Sequence, residues 1–401
     1  MNVLADGFVF ENTHQKGIRR YMDELLRRVE CPFSLLLENP ATGEIPEDWN
    51  IVGPLGASPA IRFDLAGRWT YRERAKKWRK EIQSHSVFHS AYYRICPVAG
   101  LPTVMVVHDM VFEIMPGQFL ELAGPYAEEK KTALDRADAI IAISESTSKD
   151  LLAIYPEYRD KVHVVCHGAD HLALAGIKRS ECNPEAIKGR RYALFVGSRS
   201  TYKNFGTLMD AMVESGWPED LDLKVAGAPF SYAEKLALKY RRLEGRVHDC
   251  GRATDSNLAA LYAGADVFVF PSIFEGFGFP LLEAQAKGVP VAASDIEVFH
   301  EVGAEAFERF QPMDPNSIAA AVSRVLEPDR AADLRRVGFE NVLKFTWAES
   351  ARKTWRKLQP DKGQCSKCRL VGFSKIRGKG FFIYRFQSCR QDRKRCSSYS
   401  F

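Results

Sequence analysis

Nowhere in its 401 residues does the chain hold a run of about eighteen apolar side chains, so no transmembrane helix is expected. The opening MNVLADGFVFENTH lacks a basic leader ahead of an apolar core and lacks a cleavage signal. It does not read as a secretory signal, and the cytoplasm is the expected compartment. No Asp-x-Asp triplet supplies an obvious divalent-metal site, so no metal is assigned. Disorder is excluded as well, because hydrophobic residues make up 46% of the chain and charged ones 27%. The length suits two domains with a core each.

The body also lacks a basic surplus. Between Asp361 and Phe401 eleven Lys and Arg face two Asp, a surplus of nine, so the first 360 residues carry −4 of the net +5. A mildly acidic body gives no support to a nucleic-acid-binding fold. Cys31, Cys96, Cys166, Cys182 and Cys250 are scattered in core-like sequence and read as small buried thiols in a reducing compartment. Cys365, Cys368, Cys389 and Cys396 crowd the tail with spacings that permit a four-thiolate zinc site. The second pair is wide and the segment short, so residues 359–401 read as a basic, poorly ordered extension.

Apolar strands alternate with helical patterns, which predicts α/β architecture with parallel sheets. MNVLADGF, SVFHS, TVMVVHD, AIIAIS and VHVVCHG read as strands in residues 1–176, with a helix over GIRRYMDELLRRV that presents Tyr21, Leu25 and Val29 on one face. Residues 177–190 look like a linker. The rhythm restarts with YALFVGS and runs through LDLKVAG, RVHDCG, DVFVFPS and VPVAAS over residues 191–345. Two Rossmann-like domains with a cleft between them are expected.

The segment FEGFGFPLLEA, residues 274–284, places Glu275 and Glu283 around Gly276, Gly278 and Pro280. It follows a strand and opens a helix, with Pro280 in the first turn and Gly288 at the C-terminal cap. Ligands bind at the carboxyl ends of strands in such sheets. Glycines let backbone N–H groups approach a ligand, and the helix N-terminus favours an anion, so a diphosphate is the expected guest. Glu283, expected in the first helical turn, suits ribose hydroxyls, and Glu275 the far end of the same ligand. Both acids come from one short stretch and one side, which excludes a hydrolytic pair flanking a scissile bond.

This segment, with its E-x7-E spacing, resembles the retaining glycosyltransferases of family 4, whose fold is GT-B. GIRRYMDELL, VFHSAYY, VVHDMVFEIMP, AIIAISESTSKDLL, CHGAD, FVGSRSTYKNFGTLMDAM and FTWAESARKTWRKL follow in the family's order, so the resemblance covers roughly residues 1–358. It implies an N-terminal acceptor-side domain, a C-terminal nucleotide-sugar domain, a crossover helix at 346–358, and independence of metal or other cofactor. It also implies a hexose transferred from a GDP- or UDP-linked donor to a glycan or lipid-linked acceptor. GFGFPLLEA leans towards mannose, and surface polysaccharide or lipopolysaccharide assembly is the expected setting.

Lys203 and Arg199, four apart after the strand YALFV, are the cations expected to converge on the departing diphosphate, where negative charge builds. His108, at a strand end beside Asp109, is expected to meet the donor sugar. Gly17 resembles the glycine that admits the diphosphate, and Gly197 turns the chain before the cations. With Glu283, the stretch Gly276, Phe277, Gly278 and Phe279 completes the donor site, with Glu275 at its sugar end. Ser144 and Glu145 are candidates for the cleft lining, while His89 and His167 read as structural. The basic stretch GRWTYRERAKKWRKEIQ (67–83) forms a helical stripe of Tyr71, Ala75, Trp78 and Ile82, suited either to an anionic membrane surface or to its own domain. Two other functions stay open: a nucleotide-sugar epimerase or phosphorylase of the same architecture, and a non-catalytic sugar-nucleotide-binding subunit.

Overall fold

A computed structural model describes residues 2–11, 16–39, 41–42, 44–53, 80–119, 123–170 and 190–358. The linker at 177–189, most of the basic stretch at 67–83, Cys182 and the tail lie outside the described residues. Seven parallel strands form a first sheet: β1 (Val3–Asp6), β2 (Phe33–Leu36), β3 (Asn50–Val52), β4 (Val87–Ser90), β5 (Thr103–Val107), β6 (Ala139–Ala142) and β7 (Val162–Val164), in the order β3-β2-β1-β4-β5-β6-β7. Six form a second: β8 (Arg191–Val196), β9 (Leu221–Ala226), β10 (Val247–Asp249), β11 (Val267–Phe270), β12 (Val291–Ser294) and β13 (Glu308–Phe310), ordered β10-β9-β8-β11-β12-β13. Every strand pair is parallel. The order reverses beside β1 in one sheet and beside β8 in the other, and each reversal opens a crevice at the strands' carboxyl ends.

Near-continuous apolar runs explain the parallel pairing. VFVF of β11 and TVMVV of β5 are buried at every position, as strands covered by helices on both faces must be. The helix Lys16–Leu26 buries Tyr21, Met22, Leu25 and Leu26 on one face. Helix Trp347–Leu358 packs against it, so the C-terminal helix returns to the first sheet's half. Trp347 carries this crossing: its backbone N–H donates to Asp170 at 2.8 Å, and its ring lies 6.4 Å from that of Tyr21. Among the described residues no helix is long and apolar enough to cross a membrane. Cys31, Cys96, Cys166 and Cys250 are free and half-buried rather than fully enclosed, and burial pushes the Cys166 thiol up to about 11.

Candidate active site

The segment 271–279 leaves β11 and enters the helix Phe279–Ala286. Gly278, at φ +103°, caps that helix in the left-handed region that only glycine enters without strain. Gly288, at φ +66°, ends it in a Schellman motif, with the Val289 N–H donating to Ala284 and the Gly288 N–H to Gln285. The helix begins at Phe279, so Glu283 is its fifth residue and stands in the second turn, not the first. Helical side chains tilt towards the N-terminus, which keeps the carboxylate on the side of the loop. One Glu283 oxygen accepts the Tyr262 hydroxyl at 3.0 Å, and the Tyr262 ring is fully buried.

Lys203 and Glu275 meet directly, with Nζ 2.5 Å from Oε1. Burial works against the Lys203 ammonium, but the Glu275 carboxylate overcomes it and raises the pKa above the usual lysine value. Asp109 of the first half adds to that field. The two loops are tied by the Ile273 N–H, which donates to the Tyr202 carbonyl at 2.8 Å.

Arg199 does not converge with Lys203. The segment between them is not α-helical: Thr201–Lys203 is a 3₁₀ turn, Asn204 is left-handed at φ +57°, and the helix starts only at Phe205. The neighbour rule for positions four apart therefore fails. Arg199 instead pairs with Glu234 through Nε, with a second contact from Nη2 at 3.3 Å, and its guanidinium lies 4.9 Å from the Phe230 ring centre. Burial pushes the Glu234 carboxyl up, yet Arg199 and Ser231 outweigh it and hold it at about 2. Arg199 Nη1 is buried and unpartnered among the described residues. Gly197, at φ +133°, makes the turn before these cations.

Gly276 is also where the first half's backbone comes close. A Cβ built on it would lie 1.8 Å from the His108 carbonyl oxygen, so the glycine admits the first half's backbone. A Cβ built on Gly17 would lie 3.9 Å from the Phe279 ring, so the first helix comes near the loop. Phe277 is buried edge-on to Phe345, and Phe279 stacks on His167 with centroids 5.0 Å apart.

His108 is buried, its Nε2–H donating to the Ala91 carbonyl at 2.9 Å. Burial lowers its pKa to about 4, so the ring is neutral and Nδ1 carries the lone pair. His89 accompanies it, bonded to the Tyr21 hydroxyl at 3.0 Å and lowered by burial to about 3. His167 is buried too, and its pKa is pushed well below the usual range. Behind His108, fully buried Lys130 donates to the Asp109 carbonyl at 2.9 Å and to Glu113 at 2.8 Å.

Sequence reading missed Lys130, Tyr262 and Glu234. For Glu234 a local signal existed, since Ser231-x-x-Glu234 forms a capping box. Tyr262 and Lys130 had none, their partners being 21 and 17 residues away. The chain does contain one Asp-x-Asp triplet, Asp220-Leu221-Asp222, at the start of β9 and so at the opposite edge from this site. Asp220 pairs with Arg191, and buried Asp222 with Arg190 and His248.

Comparison with known proteins bears on the fold and the family. The family model "Glycosyltransferase Family 4" matches residues 37–171, and "Glycosyl transferases group 1" matches 178–338. O-antigen chain mannosyltransferase B of Escherichia coli is 28% identical over 294 residues, 70% of this chain and 76% of the relative. Alpha-maltose-1-phosphate synthase of Mycolicibacterium smegmatis is 30% identical over 281 residues, 64% of this chain and 72% of that protein. Among solved structures, sucrose-phosphate synthase of Thermosynechococcus elongatus superposes with a TM-score of 0.67 at 19% identity, covering 89% of this chain and 98% of the other. Both halves match in order, and the chain belongs to the family 4 glycosyltransferases, with the GT-B fold.

Proposed function

We propose that the chain is a retaining, metal-independent hexosyltransferase that moves mannose from GDP-mannose to a hydroxyl of a glycan or lipid-linked acceptor, in the assembly of a surface polysaccharide or lipopolysaccharide. The observation that carries this reading is the Lys203–Glu275 pair beside the N-terminus of helix Phe279–Ala286, with Glu283 in the same helix. Breaking a sugar–phosphate bond builds charge on the leaving diphosphate, and a fixed ammonium there lowers the barrier. Diphosphate arriving at Lys203 displaces Glu275, which is then available to a donor-sugar hydroxyl. Glu283, held by Tyr262, takes the ribose. Arg199 serves the diphosphate only on leaving Glu234.

Glu275 and Glu283 approach from one side, which favours same-face attack assisted by the departing phosphate over a flanking nucleophile and base. The lysine stands in for a metal in neutralising the leaving group. The mannosyl donor and polysaccharide setting are supported by the E. coli relative that assembles O-antigen.

Calorimetry with UDP, GDP and ADP, with Glu283→Ala as control, tests the reading. GDP binding weakened about tenfold by the variant is the expected result. Tight UDP binding in its place changes the donor. No nucleotide bound by the folded chain overturns the reading in favour of a non-catalytic subunit.

A further inference from the structure

The loop that carries Glu275 belongs to the second sheet's half, yet its backbone is held from the first. Ser144 caps the helix Glu145–Ile154, its hydroxyl accepting the Thr147 N–H at 2.9 Å. The same hydroxyl donates to the Gly276 carbonyl oxygen at 2.7 Å. The Thr147 hydroxyl donates to that oxygen as well, at 2.9 Å, and both side chains are buried. One carbonyl thus receives two donors from another half of the molecule, filling both of its lone pairs. On its other side, Gly276 abuts the His108 carbonyl.

The helix that supplies the hydroxyls is itself gripped by the second half. Glu301 accepts the N–H groups of Glu145 and Ser146 at 2.8 and 3.0 Å, placing a carboxylate on the helix's positive end. Lys149 adds an exposed pair with Glu297 at 2.7 Å. The contact is therefore reciprocal: the first half orients the loop, and the second half anchors the element that does so.

We propose that Ser144 and Thr147 are positioning residues for sugar transfer: by fixing the Gly276 carbonyl across the cleft they set the loop bearing Glu275, and complete the donor site only when the halves are closed. The inference rests on reading residues 275–283 as the donor site. A planar trans peptide links the Gly276 carbonyl to the Phe277 N–H, so orienting one orients the other. Glu275 is the residue immediately before that carbonyl. Glu283 is held separately by Tyr262. The hydroxyls therefore act on turnover and leave nucleotide affinity alone.

The test is the pair Ser144→Ala and Thr147→Val, singly and together, the valine keeping the threonine's shape. Turnover is followed as nucleotide release from whichever of GDP-mannose and UDP-glucose the wild-type chain hydrolyses, beside calorimetry with the matching nucleoside diphosphate. The double variant is expected to lose about thirtyfold in kcat while its nucleotide Kd stays within about twofold, and Thr147→Ser is expected to retain most of the turnover that Thr147→Val loses. Unchanged kcat in the folded double variant, or a loss of affinity equal to the loss of rate, overturns the inference and leaves the donor-site reading standing. Nucleotide binding indifferent to Glu283→Ala overturns both.

Discussion

At the carboxyl ends of β4 and β5 the first half encloses His89 and His108 as neutral rings, whereas beside β8 and β11 the second half keeps Lys203 and Glu275 charged and half-buried. Histidines follow the same division. Those of the second half stand beside aspartates, His248 with Asp222 and His300 with Asp295. In the first half, His89, His108 and His167 are packed among aromatic rings, with Tyr21 within 6.0 Å of all three. The second half thus holds charge ready for a charged ligand, while the first presents a neutral wall and backbone carbonyls. In the function proposed above, a diphosphate meets the one and a sugar hydroxyl the other.

Removing the charge from the second half is the most damaging way to break this contrast. Lys203→Ala is expected to lower kcat by about a hundredfold or more, the scale set by losing one electrostatic stabiliser of a transition state. The pair keeps 17% and 12% of its side-chain surface exposed and belongs to none of the apolar clusters, so the melting temperature should move by only a few degrees. A near-wild-type rate in the variant would sink the role assigned to Lys203.

Forcing the halves apart comes next. Gly276→Ala sets a methyl group 1.8 Å from the His108 carbonyl, which neither backbone can accommodate in place. A loss of about 1–3 kcal/mol in stability is expected from overpacking, together with lost turnover. Gly197→Ala is the contrasting variant: its Cβ meets nothing within 4 Å, but φ +133° strains any side chain there. It should cost roughly 1–3 kcal/mol through backbone strain alone. Urea denaturation of both, with small-angle scattering of the folded forms, separates them, since only Gly276→Ala should expand the molecule.

The buried histidines give the first half the larger share of the acid sensitivity near pH 5. His108 falls from 6.5 to about 4 on folding and His89 from 6.5 to about 3, with His167 lowered as well. Depressed folded values mean that their stabilisation is complete above 6.5 and is lost as pH falls towards 4. Asp6 acts in the opposite sense: burial raises its carboxyl from 3.8 to about 6, so its contribution grows as pH falls. Near pH 5 the balance is an uptake of about two protons on unfolding, or roughly 2–3 kcal/mol of stability lost per pH unit. The urea midpoint measured between pH 7 and pH 4.5 should fall accordingly, and His108→Gln should remove about one proton from the slope. A flat profile would contradict the neutral wall.

The contrast also governs what could be read from sequence. The second half places Glu275, the glycines and Glu283 within one stretch, so spacing alone brought them together. Strands with four or more apolar residues, such as β5, β8 and β11, were legible because burial on both faces writes a continuous run. Strands β2, β3 and β13 were not expected: FSLL, NIV and ERF interrupt or shorten the apolar run that marks a strand covered on both faces. The closure contacts were illegible for a different reason. Ser144 and Gly276 are separated by 132 residues and Glu145 and Glu301 by 156, and no local pattern encodes such a meeting. Arg199 turns to Glu234 because Ser200 is extended at ψ 158° and Thr201–Lys203 forms only a 3₁₀ turn, so the two cations are not one helical turn apart.

The smallest expected effect concerns a buried hydroxyl that serves one of the second half's charges. The Tyr262 side chain is fully enclosed, and its hydroxyl donates to Glu283 at 3.0 Å and reaches the Pro280 carbonyl at 3.4 Å. Tyr262→Phe keeps the ring and its packing while removing this hydrogen bond to the carboxylate. A hydrogen bond to a charged group contributes about 1.5–3 kcal/mol, but solvent re-pairs a half-buried carboxylate, so a three- to tenfold loss in nucleotide affinity is expected with kcat little changed. That outcome would mark the ribose end as a matter of binding and the Lys203–Glu275 end as a matter of rate. An equal fall in kcat would instead mean that the helix Phe279–Ala286 transmits the loss to the loop, and that the second half acts as one rigid unit rather than as two separable ends.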